Sequence, residues 1–395
     1  MSFVERLKYD RQDSKYRFAV MALIIIWIIS IPMKNAIFQI CLVLIPLSFL
    51  FIAIQNKELI EFIRQQSFTK GVFLFVIVIS LANINAINFM QAWNFEFRLF
   101  KLIFCLYALV YFLKKKYISV SILVVGALFS FVIQSVDGLV QYLNGYDFIG
   151  KTMLDGRMKA MVFHPNTFGL ILALGIVISS WILLHKQYFR ISFLVASLLI
   201  IIMTIASFDL LQTTSRGSWV ASVVAITVYF WLERKNLHSR YYIFAFVGFL
   251  GLFYYIYSDP HIISRFRSLF EGQSAGRDVI WPLAFHYITL QPLFGYGFDA
   301  FRLLPNVPSY GQMPHNIILE ILLATGIVGL GMILWLWYRI YRKTVSYKVD
   351  EPRLFTVITA LFIVLLVGGM FDHSIYQNAI YDSIWIILIS IVYKR

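Results

Sequence analysis

The chain is poor in charge and poor in cysteine. Only 14% of its 395 residues are Asp, Glu, Lys or Arg, against about a quarter in a soluble domain, while 60% are hydrophobic. So little charge excludes an ordinary soluble protein and points to a chain that crosses a membrane many times. The two cysteines, Cys41 and Cys105, give neither a disulfide framework nor metal-ligand spacing. Both stand inside apolar runs and read as small buried hydrophobes. The sequence also lacks a Gly-rich phosphate loop with lysine, a zinc-type histidine pair and an acidic cluster suited to magnesium. No metal and no cofactor is expected, and an enzyme of this composition must receive its substrate already activated. The apolar runs show no strand-like alternation, which excludes a membrane β-barrel.

What is present is a series of long apolar segments. Twelve are expected as spans, at 17–33, 36–54, 71–88, 99–113, 118–136, 166–184, 191–209, 217–232, 241–257, 316–338, 354–371 and 379–393. The first follows a charged N-terminal stretch without a small-residue cleavage site, so it reads as a retained span. The fold class is all-α, polytopic, with residues 1–395 forming a single membrane domain. With the N-terminus in the cytoplasm, the loops on that side hold 23 of the 34 Lys and Arg residues and the opposite side 11. The positive-inside rule then places both termini in the cytoplasm. The net charge of +14 is mostly this topology signal and not a nucleic-acid footprint.

Two long loops are expected on the opposite, exoplasmic side, a smaller one at 137–165 and a larger one at 258–315. Long loops of ordinary complexity usually carry function. In the larger loop, "PHIISRFRSLF" and "SAGRDVIWPLAFHYITLQPLFGYGFDAF" read as amphipathic helices at the membrane surface.

The polar residues of interest cluster where chain meets membrane on that side. Pro314 predicts a sharp start for the span after it, with His315 and Asn316 in its first turn. The positive end of the helix would favour a neutral imidazole, the form a general base needs; the alternative is a histidine that only caps the helix. Arg216 lies in "LLQTTSRGSWVA", where Thr213, Thr214, Ser215 and Gly217 offer hydroxyls and backbone N–H groups to an anion. Its alternative is a snorkelling arginine paired with Asp209. Arg277, after Gly276, opens a surface helix, with a local pair to Asp278 as the alternative. Arg265 and Arg267 suit lipid headgroups. Arg157 and Lys159 precede "HPN", in which Asn166 reads as an N-cap. Asp372 could orient His315 by a hydrogen bond.

Three of these motifs resemble one family. "HNIILEILLATGIVG" has His-Asn, nine residues, then Gly-x-x-Gly; "TTSRGSWVA" carries Ser-Arg-Gly before a span; "GRDVIWPLAFHYITLQPLFGYGFDAF" carries Gly-Arg…Trp…Pro-x-x-Gly-x-Gly…Phe. Together with "FHPNTFG" they resemble the O-antigen ligases of the ligase/polymerase superfamily, over roughly residues 164–331. The resemblance implies a glycosyltransferase of lipopolysaccharide biosynthesis at the periplasmic face of a Gram-negative inner membrane. It implies transfer of O-antigen polysaccharide from undecaprenyl pyrophosphate to a sugar hydroxyl of lipid A–core, inverting and independent of metal and nucleotide. By motif position it implies His315 as base and Arg216 and Arg277 as pyrophosphate binders. Asn316, Arg157, Lys159, Asn166, Arg265 and Asp372 are further candidates for binding or orienting substrate. O-antigen polymerase, of the same superfamily, is the alternative. A transporter or flippase is a third reading, against which stands the shortage of ionisable residues near the membrane midplane, where Glu320 is the clear one.

Overall fold

A computed structural model describes residues 16–84, 86–237, 248, 251, 254–270, 276–309, 313–371 and 379–395. Among them the regular structure is helical, with only isolated bridges, Tyr146 to Thr152 and Leu154 to Arg157, outside helices. The chain forms two compact units. One contains Ala127–Gln273 and Tyr347–Gly368, the other Arg6–Gly126, Ser274–Ser346 and Gly369–Arg395.

Among the described residues six helices are long and apolar enough to cross a membrane: Ala36–Gln55, Val120–Asn144, Pro165–Leu184, Phe193–Gln212, Ile317–Asp350 and Pro352–Gly369. A seventh is possible if Leu59–Gln65 and Thr69–Ile84, bent by 87°, are one broken span. The twelve spans read from sequence are therefore not all matched. Arg17–Ser30 and Ala379–Val392 have 14 residues each, about 21 Å of helix against ~30 Å of hydrocarbon. The run 99–113 is part of a longer helix, Phe89–Lys114, whose first turns carry Glu96, Arg98 and Lys101. The run 217–232 is the helix Arg216–Glu233. The run 241–257 lies mostly outside the described residues.

In the first unit, Pro165–Leu184 is the central helix, packed by both Phe193–Gln212 and Arg216–Glu233. It is apolar on all sides, as a fully surrounded helix should be. Phe193–Gln212 instead leaves Phe193, Leu194, Leu198, Ile200 and Ile201 exposed, the surface expected of a helix facing lipid. The helix Val120–Asn144 runs past the expected end of its span. The loop expected at 137–165 accordingly begins after Asn144 and closes at the helix starting with Pro165.

In the second unit, Phe89–Lys114 packs against both Ala36–Gln55 and Ala379–Val392. Of the two surface helices expected in 258–315, the first is Pro260–Phe270, in the first unit, and the second is shorter than expected, Arg277–Leu290, in the second, ending before Pro292. Arg277–Leu290 is anchored by a cluster of Ile280, Ala284 and Tyr287 with Tyr296, Phe301, Leu319 and Leu323.

The helix Ile317–Asp350 is broken. Gly326 has φ 62° and ψ −165°, outside helical values. The break opens backbone groups that the loop after Gln291 satisfies. Tyr296 N–H donates to Leu323 O (2.7 Å) and Gly297 N–H to Ala324 O (3.0 Å), while Ile327 N–H donates to Pro292 O (2.8 Å) and Val328 N–H to Leu293 O (3.3 Å). A Cβ on Gly326 would stand 2.2 Å from the Leu293 carbonyl. The two glycine motifs of the sequence, Gly326-x-x-Gly329 and Pro292-x-x-Gly295-x-Gly297, are thus two halves of one backbone junction. Irregular backbone in a membrane helix survives only where protein re-satisfies it. Gly331 has open space beside it.

Candidate active site

The candidate residues fall into two groups, one in each unit. In the first, the helix Arg216–Glu233 starts at Arg216 because Ser215 has extended backbone and its Oγ accepts the Ser218 N–H. Thr213 Oγ1 donates to Leu210 O (2.7 Å) and accepts the Ser215 N–H (3.2 Å). These hydroxyls mainly build the turn, which leaves less for an anion than their sequence suggests. Arg216, half-buried, donates through Nη1 to Ser268 O and Ser268 Oγ, both at 3.2 Å. No bond to Asp209 is formed, since neither Asp209 oxygen has a hydrogen-bond partner. Arg265 is half-buried on the same surface helix as Ser268, and its carbonyl accepts the Ser268 hydroxyl at 2.7 Å.

Arg157 joins this group. Its Nε donates to Thr213 O (2.9 Å) and its Nη2 to Asn166 Oδ1 (2.5 Å). Asn166 is therefore not the N-cap expected from sequence. His164 is: its backbone is extended and its Nδ1 accepts the Asn166 N–H at 3.2 Å. Pro165 takes the first helical position, where its missing N–H costs nothing. Lys159 is buried, and its backbone N–H, like that of Ala160, donates to Gln141 Oε1. Burial pulls the Lys159 ammonium below its ordinary range, while Asp147 pulls the other way.

The second group surrounds His315. The helix after it begins at Ile317, later than its sequence suggests, because Asn316 is the cap. Asn316 Oδ1 accepts the N–H groups of Ile318 (2.9 Å) and Leu319 (3.2 Å). His315 stands before the helix, half-buried, with φ 52°. An α-left residue does not fit the extended N-cap position, so capping falls to asparagine and not to imidazole. Both neighbours of His315 are tied down. Trp281 Nε1 donates to Pro314 O (3.0 Å), and Asn316 Nδ2 donates to Met370 O (3.3 Å).

Arg277 is fastened to the same place. The helix Arg277–Leu290 begins at Arg277, after Gly276 at φ 84°. Its Nη2 donates to Phe371 O, the carbonyl next to the one that holds Asn316. Trp281, one turn along, holds the strap on the other side of His315. The second unit therefore brings Arg277 and the His315–Asn316 pair together through the consecutive carbonyls of Met370 and Phe371. A small cleft beside this strap is lined by Asp299, Phe301, Met313, Pro314, Glu320 and Leu323. Burial raises the Asp299 carboxyl above its usual range; Arg302 (2.7 Å) and Gln91 (2.5 Å) oppose the shift. Asp372 lies outside the described residues.

Sequence reading missed several buried acids. Besides Glu320 and Asp209, which the sequence singled out, the helices hold Glu96, Asp137 and Asp382, all buried. Asp382 is 3.7 Å from Arg98. Glu96 accepts Ser80 Oγ and Asn83 Nδ2. The usable sequence signal was a charge inside an apolar run, obscured by placing Asp137 and Arg98 in loops. Among the described residues no three or more His, Cys, Asp or Glu side chains are grouped to hold a metal ion.

The helices define a multi-pass membrane protein with polar clusters at helix starts. Residues 201–334 match the sequence model of the family described as O-antigen ligase. That stretch includes Arg216, Arg277, His315, Asn316 and both glycine motifs. The chain is also similar to provisionally named polysaccharide ligases of Rickettsia typhi and Rickettsia prowazekii. Each is 28% identical over 144 residues, which cover 33% of this chain and 35% of the relative. The similarity thus spans about a third of the relatives' length.

Proposed function

We propose that this protein is an O-antigen ligase, a glycosyltransferase that moves O-antigen polysaccharide from undecaprenyl pyrophosphate to a sugar hydroxyl of lipid A–core. The observation that carries the reading is the attachment of Arg277 and the His315–Asn316 strap to adjacent carbonyls, inside a stretch that matches the ligase family. Both substrates are lipid-linked, which suits a protein made mostly of apolar helices. The reaction runs at the periplasmic face of the inner membrane, with both termini cytoplasmic.

In this mechanism His315 accepts the proton of the acceptor hydroxyl as its oxygen attacks the anomeric carbon. Attack comes from the face opposite the pyrophosphate, so the anomeric centre inverts. The C–O bond to the pyrophosphate breaks and charge develops on the leaving oxygen. Arg216 and Arg277 stabilise that charge; a guanidinium fork binds phosphate bidentately and needs neither metal nor nucleotide. Asn316 fixes the helix start that carries His315. Arg157, Lys159, Asn166, Arg265 and Asp372 are further candidates for binding or orienting substrate.

Lipopolysaccharide from a strain lacking the gene tests the reading. Loss of a ligase leaves bare core without any O-antigen ladder. A surviving band of core plus one repeat would instead identify an O-antigen polymerase. For the mechanism, purified donor and lipid A–core are incubated with the His315→Ala protein. Substantial transfer at normal protein level would remove His315 as the base.

A further inference from the structure

The helix Val120–Asn144 is apolar by composition but carries a polar stripe. Gln134, Asp137, Gly138 and Gln141 are spaced i, i+3, i+4 and i+7, which puts them on one face. Gln134, Asp137 and Gln141 are each 0% exposed. Such a stripe on a membrane helix faces protein interior, and buried ionisable residues there mark sites.

Part of the stripe is used by the loop that follows. Gln141 accepts the Lys159 and Ala160 N–H groups and donates to Lys151 O at 3.1 Å. Asp137 Oδ1 accepts the Phe148 N–H at 2.6 Å, and the Met161 backbone N–H also faces this carboxylate. The rest has no hydrogen-bond partner: Asp137 Oδ2, both amide atoms of Gln134, and both oxygens of Asp209. Asp209 comes from the neighbouring helix Phe193–Gln212 and is 0% exposed. Its carboxylate lies against Gly138, where a Cβ would stand 2.7 Å from Oδ2. The glycine makes the room the carboxylate occupies, between Asp137 and the turn that starts with Gln141.

Charge is unbalanced in the same place. Asp137 and Asp209 act on each other electrostatically. Lys159 lies near Asp137, Asp147 and a second lysine, Lys151, while the charged group that acts on Asp209 is Asp137. An unpaired buried carboxylate is costly, and a cation held by these oxygens would offset that cost. The unpartnered acceptors are all oxygens, from two carboxylates and one amide, which is the donor set of a hard cation. Calcium takes about six to eight oxygen ligands, more than these side chains supply, and magnesium gives up its water reluctantly, which full burial disfavours.

We propose that Asp209, Asp137 and Gln134 form a binding site for a small monovalent cation of the sodium class, in the unit that carries Arg216 and Arg157. The site does not depend on the transfer reaction and is tested without it. The purified full chain in detergent is held in choline chloride, and choline is then replaced by sodium at constant ionic strength while the Tm is followed. A cation that binds only the folded state raises the Tm in a saturable way. The expected result is such a rise in the wild type, its loss in Asp209→Asn, and its weakening in Gln134→Leu. Asp209→Asn removes an uncompensated buried charge, so this variant should remain folded in choline. Asp382→Asn, in the other unit, should keep the sodium response. The proposal is overturned by an unchanged Tm in sodium at every concentration, by a response that survives Asp209→Asn, or by a response to magnesium in place of sodium.

Discussion

Two short stretches, His164-Pro165-Asn166 and Pro314-His315-Asn316, use the same three residue types at the start of a membrane helix. They solve the same problem in opposite ways. At 164 the histidine has extended backbone, φ −140°, and its ring nitrogen caps the helix. The asparagine is inside the helix and takes Arg157. At 315 the histidine is in the left-handed region and the asparagine caps. One imidazole therefore has a structural duty in its own helix. The other is held between two anchored neighbours without that duty. Composition alone makes the two equivalent; one backbone angle separates them.

The largest expected effect breaks this pair apart. His315→Ala should lower transfer about a hundred- to ten-thousand-fold, the usual worth of a positioned base. His164→Ala should leave transfer near wild type and cost about 1 kcal/mol of stability through the lost cap. Equal losses of activity in both variants, measured with purified donor and acceptor, would end the distinction.

The arginines come next. Arg216→Lys and Arg277→Lys keep the charge but lose the fork, and each should lower kcat about a hundredfold or more. Near-full activity of either would reduce that arginine to its observed hydrogen bonds, Ser268 for Arg216 and Phe371 for Arg277.

A backbone change sharpens the comparison from the other side of the second strap. Gly326→Ala forces a side chain onto a φ of 62° and against the Leu293 carbonyl. It should destabilise the protein by roughly 1–3 kcal/mol or more, read as a fall in Tm. Smaller still are the asparagines. Asn316→Ala removes a cap worth about 1 kcal/mol and should also lower kcat, because the cap and the Met370 bond fix His315. Asn166→Ala removes a partner of Arg157 but no cap, so its effect on Tm should be less. Gly331→Ala, with open space around it, should change almost nothing.

Much of this was legible in the sequence because it is written at short range. Apolar runs give membrane helices, since a helix satisfies its own backbone. The start of a surface helix at Arg277 follows from local rules of helix ends. The motif arginines and His315 stand out because polar residues at the edge of an apolar run are few. The count of spans was less legible. Hydropathy cannot tell a 14-residue helix such as Ala379–Val392 from a full crossing when turns and flanks are also apolar, and it placed Asp137 in a loop although the helix continues to Asn144.

The sequence by itself determined that this is a helical membrane protein with His-Asn, Ser-Arg-Gly and Gly-Arg motifs at helix starts. Those features depend on composition and on spacings of a few residues. Only the tertiary structure decided which residue of each His/Asn pair caps its helix, that Gly326 opens a break filled by residues 292–297, and that Arg277 and Asn316 share adjacent carbonyls. It also decided that Asp209 rests against Gly138 with no partner for its charge. Each of these is a relation between segments distant in the chain, or a backbone angle imposed by such a relation. Local periodicity carries no record of either.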